Sequence, residues 1–323
     1  MRLPPTSNLA SNNTSHCCST MVDDAAVIAT AQDAYVAKAA TVAAGYYDDP
    51  FLIAPPPRHV QPIIKRGTHA RVACVDRALR VFREQGGRQV VVLGAGHDTA
   101  FFRHHGLGIR WFETDHESVL RSKARNIEAH PEIFGCQLRT SEDGSYSIEK
   151  DGFTCCGVVH DLQEPSSVLL EKLTSHGWNS HEPTLVILEC VAMYLPQSAC
   201  LDLFETLFHA SSQCHICLYD PILQNDSFGR VMEQHLRQRQ AANSSLLETR
   251  TLEAQKKRLA GWNVVAYDMN QAYGRLLTAE ERQRAAKAEF LDELEEWTLL
   301  MQHYCFLVAS HPEASFQMGN VIE

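Results

Sequence analysis

Long apolar runs are missing from this sequence. No stretch of 18 or more consecutive apolar residues occurs in its 323 residues, which excludes a bilayer-spanning helix. The first residues carry no apolar core of a secretory signal, so neither export nor membrane association is expected. Positive charge is in deficit. Lys and Arg number 29 against 39 Asp and Glu, a formal net charge of −10, and a general nucleic-acid binder would more often be basic. No internal repeat is visible, which argues against a solenoid or propeller. A second CxxC with zinc spacing is also lacking. Cys214-x-x-Cys217 stands alone in an apolar run, and strand alternation would send its two sulfurs to opposite faces, so no metal site is expected. The 11 cysteines are odd in number and scattered. They read as reduced thiols of a cytoplasmic protein and not as a disulfide framework, with Cys17-Cys18 and Cys155-Cys156 incidental.

What is present is ample material for a core, at 45% hydrophobic residues. Residues 1–22, rich in Ser, Asn, Thr and Pro, read as a disordered tail. A helix is predicted from about Asp23-Asp24 to Ala40, with acidic residues in its first turn. Tyr46 to Pro50 breaks it, and Pro55-Pro56-Pro57 marks a loop. A second helix is predicted over Thr68–Glu84, with Val72, Val75, Leu79 and Phe82 on one face. Strands then alternate with helices. Strands are predicted at Gln89–Leu93, Ile109–Glu113, Gly157–His160, Thr184–Glu189 and Cys214–Tyr219, and helices at Glu117–Ala129 and Gln197–Ala210. That order indicates a parallel sheet with right-handed crossovers. A polar helical insertion follows the fifth strand at 226–261. Trp262–Tyr267 and His303–Ala309 read as two late strands flanking a helix near Phe290–Leu300. The fold class is α/β: a mostly parallel seven-stranded sheet with helices on both faces. Residues 23–323 are read as one domain, with 23–87 a helical cap.

Four segments fall at predicted strand ends, where open α/β sheets bind ligands. Gly94-Ala95-Gly96-His97-Asp98-Thr99 follows the first strand and lets a ligand approach the backbone closely. Thr99 stands where the dinucleotide fingerprint wants a third Gly or Ala, and no Gly-Lys-Ser/Thr follows, so neither a pyrophosphate loop nor a P-loop is supported. Glu113 and Asp115 close the second strand, and either carboxylate could accept two ribose hydroxyls on spacing alone. Asp161 and Leu162 after the third strand could meet an adenine ring, Asp161 through its carboxylate and Leu162 through its backbone N–H, or Asp161 could cap a helix. Glu189, ending the fourth strand, needs a positive partner when buried, either a cationic ligand or a salt bridge. A fifth segment, Lys65 to Arg71, brings a guanidinium fork suited to a carboxylate, and Lys38 offers a second cation.

Together these segments resemble the leucine carboxyl methyltransferase family. The resemblance runs from about Asp23 through Gly45–Phe51, Arg66-Gly67, Ala70–Val72, Leu93–Thr99, Phe112–Asp115, Glu189–Val191 with Tyr194, Phe228–Arg230, Leu252–Leu259, Glu289–Glu293 and His303–Cys305. It implies a class I S-adenosylmethionine-dependent methyltransferase fold. It also implies transfer of a methyl group to the C-terminal leucine α-carboxylate of type 2A protein phosphatase catalytic subunits, leaving S-adenosylhomocysteine. The family's cofactor contacts fall on Lys38, Arg71, Gly94, Asp115, Asp161, Leu162 and Glu189, which selects Asp115 over Glu113. Tyr194 and the 226–261 insertion would face the substrate peptide. Because an α-carboxyl group has a pKa of about 3.3–3.7, it arrives ionised and no general base is required. Arg71 and Tyr194 are therefore expected to position the substrate, and a monomer is expected to act. His97 receives no role.

Three rivals remain. Related O-methyltransferases act on small molecules or on a carboxyl group of a hypermodified tRNA base, and the tRNA-directed ones carry a long C-terminal repeat domain for which this chain, ending at Glu323, leaves no room. A non-catalytic phosphatase-binding module is disfavoured by the retained Arg71, Gly94, Asp115 and Glu189. An NAD-dependent oxidoreductase is disfavoured by Thr99.

Overall fold

A computed structural model describes residues 24–53, 60–238 and 244–322. The expected tail at 1–22, the Cys17-Cys18 pair and the loop at Pro55–Pro57 lie outside these residues.

The described residues form a nine-stranded sheet in the order β3-β4-β5-β2-β1-β6-β7-β9-β8. The strands are β1 (Gln89–Leu93), β2 (Arg110–Asp115), β3 (Gln137–Thr140), β4 (Tyr146–Lys150), β5 (Phe153–Val159), β6 (Thr184–Glu189), β7 (Cys214–Pro221), β8 (Asn263–Asp268) and β9 (Tyr304–Ser310). The five central strands from β5 to β7 are parallel, while β9 runs antiparallel to both β7 and β8. With the β3–β4 pair set aside, seven strands remain in the topological order 3-2-1-4-5-7-6.

The expected seven strands are therefore present, and two more extend the sheet. The β3–β4 hairpin pairs antiparallel with β5. Its signal was legible, because Asp143-Gly144 joins two alternating segments and Gly144 takes φ +90°. The polar outer positions of β3 masked it. Two helices after β8 also went unread, although each opens with a capping box, Asp268 with Gln271 and Thr278 with Glu281. The second helix begins six residues earlier than expected, at Pro62, whose fixed φ and missing N–H suit a first turn. The expected helix near Phe290–Leu300 spans Leu294–Gln302.

Period-two alternation divides the core. Val90 and Val92 of β1, Leu185 and Ile187 of β6 and Phe306 and Val308 of β9 pack on one face, against helices Pro62–Glu84, Glu117–Ala129 and Met269–Leu276. Val91, Leu93, Val186, Leu188 and Leu307 pack on the other, against helices Ser166–Ser175 and Gln197–Ala210. Cys214 and Cys217 fall in opposite clusters, as strand alternation requires.

The rung Glu113–Gly157–Tyr146 joins β2, β5 and β4. The Tyr146 ring crosses Gly157, where an added Cβ would sit 2.4 Å from the ring, and its hydroxyl donates to Glu113. Lys123 Nζ donates to the same carboxylate oxygen at 2.5 Å, with Lys123 and Glu113 both buried. Glu113 is thus part of the sheet's interior, which removes it from the ligand alternatives. Glu113→Ala would leave a buried ammonium without its carboxylate. A stability loss of about 3–5 kcal/mol is expected in denaturant unfolding, with a smaller loss when Lys123→Met is combined with it.

Candidate active site

One cavity of about 330 Å³ opens at the carboxyl ends of β1, β2, β5 and β6, within the range of small-molecule sites. Lys38, Arg71, Gly94, Asp115, Asp161, Leu162, Glu189 and Tyr194 all line it, so residues spread over more than 150 positions meet in one place. Helix Asp24–Ala43 walls one side through Ile28, Ala31, Ala34, Tyr35 and Lys38.

The turn after β1 is built for close approach. Gly94 adopts φ +64°, and a Cβ there would lie 2.6 Å from Val191 Cγ2. Gly96 adopts φ +54° and donates its N–H to Asp115 Oδ2 at 2.7 Å. Asp115 Oδ1 accepts from the His116 N–H at 2.8 Å. Burial raises the Asp115 pKa above the ordinary carboxylate value, and the two amides pull it part of the way back. Asp161 Oδ1 accepts from the Gln163 N–H at 2.9 Å, whereas helix Ser166–Ser175 has Pro165 at its N-cap. Asp161 therefore shapes a turn at the cavity wall and caps no helix.

Glu189 is the electrostatic centre. Its Oε2 accepts from Arg71 Nε and lies 3.6 Å from Lys38 Nζ. Lys38 donates in turn to Asp98 Oδ2 at 2.7 Å. The Arg71 guanidinium also approaches Cys190 Sγ at 3.8 Å and lies 5.3 Å from the Tyr219 ring centroid. The expected carboxylate fork is already largely engaged: Nε by Glu189, Nη1 by Cys190 and one face by Tyr219. Burial would raise the Asp98 carboxyl, but Lys38 and Arg103 override it and hold the group far below the carboxylate range.

Asp98 escaped the sequence reading, although an acid after a Gly turn favours an Asx turn, and its Oδ1 accepts the Ala100 N–H at 2.8 Å just ahead of the helix whose N-cap is Thr99. Asp49, from the Gly45–Phe51 block, was also missed as a support. It accepts from Thr99 Oγ1 at 2.5 Å and pairs with Arg103 Nε at 3.2 Å, fastening the start of the helix at Ala100–His104. Thr99, which argued against a dinucleotide loop, thus has a structural partner. His97 lines the cavity with its ring 5.5 Å from that of Tyr35, and burial lowers its pKa to about 4, so the imidazole is neutral at pH 7.

Five carboxylates line the cavity, those of Asp33, Asp98, Asp115, Asp161 and Glu189, against the two cations Lys38 and Arg71. That excess favours a ligand of net positive charge, and the two left-handed glycines leave room for it against the backbone. A sulfonium nucleoside bearing an α-amino acid fits both conditions.

The sheet order and the placement of the cavity define a class I methyltransferase fold. Solved structures of a protein from Thermobifida fusca YX and of a DUF574 family protein from Streptomyces avermitilis share it. Each has TM-score 0.56 and 12% identity; they cover 90% and 91% of this chain and 96% and 99% of their own. The leucine carboxyl methyltransferase profile matches residues 19–208. Leucine carboxyl methyltransferase 1 of Rattus norvegicus is 30% identical over 305 residues, 89% of this chain and 90% of its own length. That of Bos taurus is 31% identical over 307 residues, 90% and 91%. tRNA wybutosine-synthesizing protein 4 of Rattus norvegicus is 30% identical over 326 residues, 90% of this chain but 47% of its own length, so the chain spans about half of that relative. The chain belongs to the leucine carboxyl methyltransferase family and is an S-adenosylmethionine-dependent methyltransferase.

If Asp115 accepts the ribose hydroxyls, as the family resemblance implies, Asp115→Ala should lower S-adenosylhomocysteine affinity by about 1.5–3 kcal/mol in calorimetry. Unchanged affinity would rule out that contact.

Proposed function

We propose that this enzyme methylates the C-terminal leucine α-carboxylate of a type 2A protein phosphatase catalytic subunit, forming a methyl ester. The cofactor supplies an activated methyl group. Asp115 would hold its ribose, Asp161 and Leu162 its adenine, and Gly94 the backbone approach beside it. Lys38, Arg71 and Glu189 would hold its amino-acid end, the two cations meeting the carboxylate and Glu189 the ammonium.

The observation that carries the acceptor reading is Tyr194. It lies on the turn after Glu189, lines the same cavity, and burial raises its phenol well above the ordinary tyrosine value. A phenol held protonated donates a hydrogen bond to an oxygen anion and makes a poor base for a neutral alcohol. A carboxylate acceptor needs no proton removed, since its pKa is about 3.3–3.7. The enzyme's task is then alignment and exclusion of water, and alignment can supply about 7–11 kcal/mol of the barrier. Residues 226–261, whose described part covers 226–238 and 244–261, would form the docking side for the phosphatase tail, and the chain would act as a monomer.

A second reading is a tRNA-base carboxyl as acceptor, because tRNA wybutosine-synthesizing protein 4 of Homo sapiens is 33% identical over 306 residues, 88% of this chain and 44% of its own length. The net charge of −10 opposes it, since RNA binding draws on cationic contacts to phosphate. Incubation with methyl-labelled cofactor separates the readings. Label is expected on the phosphatase catalytic subunit, none on the subunit lacking its terminal leucine, and none on tRNA. Label on the truncated subunit, or on tRNA alone, would overturn the proposal. Tyr194→Phe should lower kcat/KM for the phosphatase about 10-fold or more, as expected when a hydrogen bond to a charged group is lost, with cofactor affinity unchanged.

A further inference from the structure

Helix Asp24–Ala43 meets the turn after β1 in register. Ala31, Tyr35 and Lys38 stand at i, i+4 and i+7, on one face of the helix, and they meet the consecutive residues Gly96, His97 and Asp98. A Cβ at Gly96 would lie 3.5 Å from Ala31 Cβ, and the Tyr35 and His97 ring centroids are 5.5 Å apart. Lys38 Nζ donates to Asp98 Oδ2 at 2.7 Å. All six residues line the cavity. The helix is thus docked by a close approach, a ring contact and an ion pair in succession, and His97 supplies the middle one.

Lys38 has two carboxylates before it. Asp98 Oδ2 is at hydrogen-bond distance, whereas Glu189 Oε2 is 3.6 Å away and already accepts from Arg71 Nε at 2.5 Å. The side chains of Lys38, Asp98 and Glu189 are 8%, 12% and 10% exposed, so water screens them little and each charge depends on its neighbours. Asp98 is fixed independently of Lys38, because its other oxygen, Oδ1, accepts the Ala100 N–H at 2.8 Å. It therefore gives the long, flexible lysine a rigid anchor on the turn side of the cavity. Among the described residues, both cations reach Glu189 at Oε2, so Oε1 takes none. With the Asp98 charge removed, Coulomb attraction would draw Lys38 onto Glu189. Glu189 would then face two cations at close range, and its charge would be neutralised within the protein.

We propose that Asp98 is a positioning residue for the amino-acid end of the cofactor: it holds Lys38 to the turn after β1, apart from Glu189, so that Lys38 meets the cofactor carboxylate and Glu189 keeps its charge for the cofactor ammonium. The inference rests on the reading above only in giving Lys38 and Glu189 those two partners. The two oxygens of Asp98 divide the work, Oδ1 shaping the turn and Oδ2 holding the cation.

The test uses the full chain and Asp98→Asn, which keeps an oxygen for the Ala100 N–H but replaces the anion beside Lys38 with an amide. Calorimetry compares S-adenosylhomocysteine with 5′-methylthioadenosine, which shares the adenosine and lacks the amino-acid end. Asp98→Asn is expected to weaken S-adenosylhomocysteine by about 10-fold or more while 5′-methylthioadenosine stays within about 2-fold. A turn that had lost its shape would weaken both ligands alike. Lys38→Met should show the same ligand-selective loss. Adding Asp98→Asn to it should cost no more than about 2-fold further, because the two residues act as one unit. Equal losses for the two ligands, or losses that add in the double variant, would overturn the proposal. Should Asp98→Asn not fold, Asp98→Ser, whose hydroxyl can also accept the Ala100 N–H, is read by the same comparison. A loss in Lys38→Met with none in Asp98→Asn would overturn the role of Asp98 and leave the cofactor reading standing. No loss in either would overturn both.

Discussion

The contact between Glu189 and Arg71, extended through Lys38 to Asp98, is the constraint on which the rest of the site depends. Three separate units meet there: β6 through Glu189, the two N-terminal helices through Lys38 and Arg71, and the turn after β1 through Asp98. A carboxylate at a sheet edge cannot stay ionised and buried alone, and neither can the guanidinium or the ammonium. Their mutual need draws the helical cap onto the sheet edge. The cavity lies against these four groups. Its charged walls suit a ligand that carries both signs, and such a ligand can exchange partners with the pairs already present.

A second network supports this one from beneath. Arg103 spans Asp49 and Asp76, and Thr99 donates to Asp49, so the Gly45–Phe51 block is fastened to the helix after the glycine turn. Burial raises Asp76, but Arg103 and His104 override it and bring its pKa down to about 2. Its contribution to stability is therefore complete above the ordinary aspartate range and lost as pH falls toward 2. The loop geometry that admits a ligand to the backbone is thus held by ion pairs that persist at physiological pH, while the glycines provide only the conformational freedom.

Much of this is legible in the sequence. The apolar runs of β1, β6 and β7 identified a buried parallel sheet, because strands covered on both faces lose alternation. The positions of Gly94, of the Glu113/Asp115 pair, of Asp161 and of Glu189 followed from the rule that ligands sit at carboxyl strand ends. Less legible were elements whose polar surface hides their period. The β3–β4 hairpin exposes most of β3 to solvent, and helix Ala279–Ala288 has a single described buried position, Ala285. Their turn and capping residues spoke for them, but periodicity did not.

By itself the sequence determined seven strands of the sheet, their order along the chain and the kinds of side chain at its edge, because these are local properties of pattern and spacing. Which carboxylate would line the cavity was another matter. Glu113 and Asp115 lie two residues apart on one face of β2, and no local signal separates them. The family resemblance selected Asp115, and the tertiary structure supplies the physical reason by bringing Lys123 and the Tyr146 hydroxyl to Glu113 and leaving Asp115 in the cavity wall beside Gly96. Likewise, only the fold could show that Arg71 is already engaged by Glu189 and that Asp220 meets Arg258 in the interior. The reason is the same in each case. The free energy of a buried charge depends on partners distant in the chain, and a linear pattern does not encode that distance.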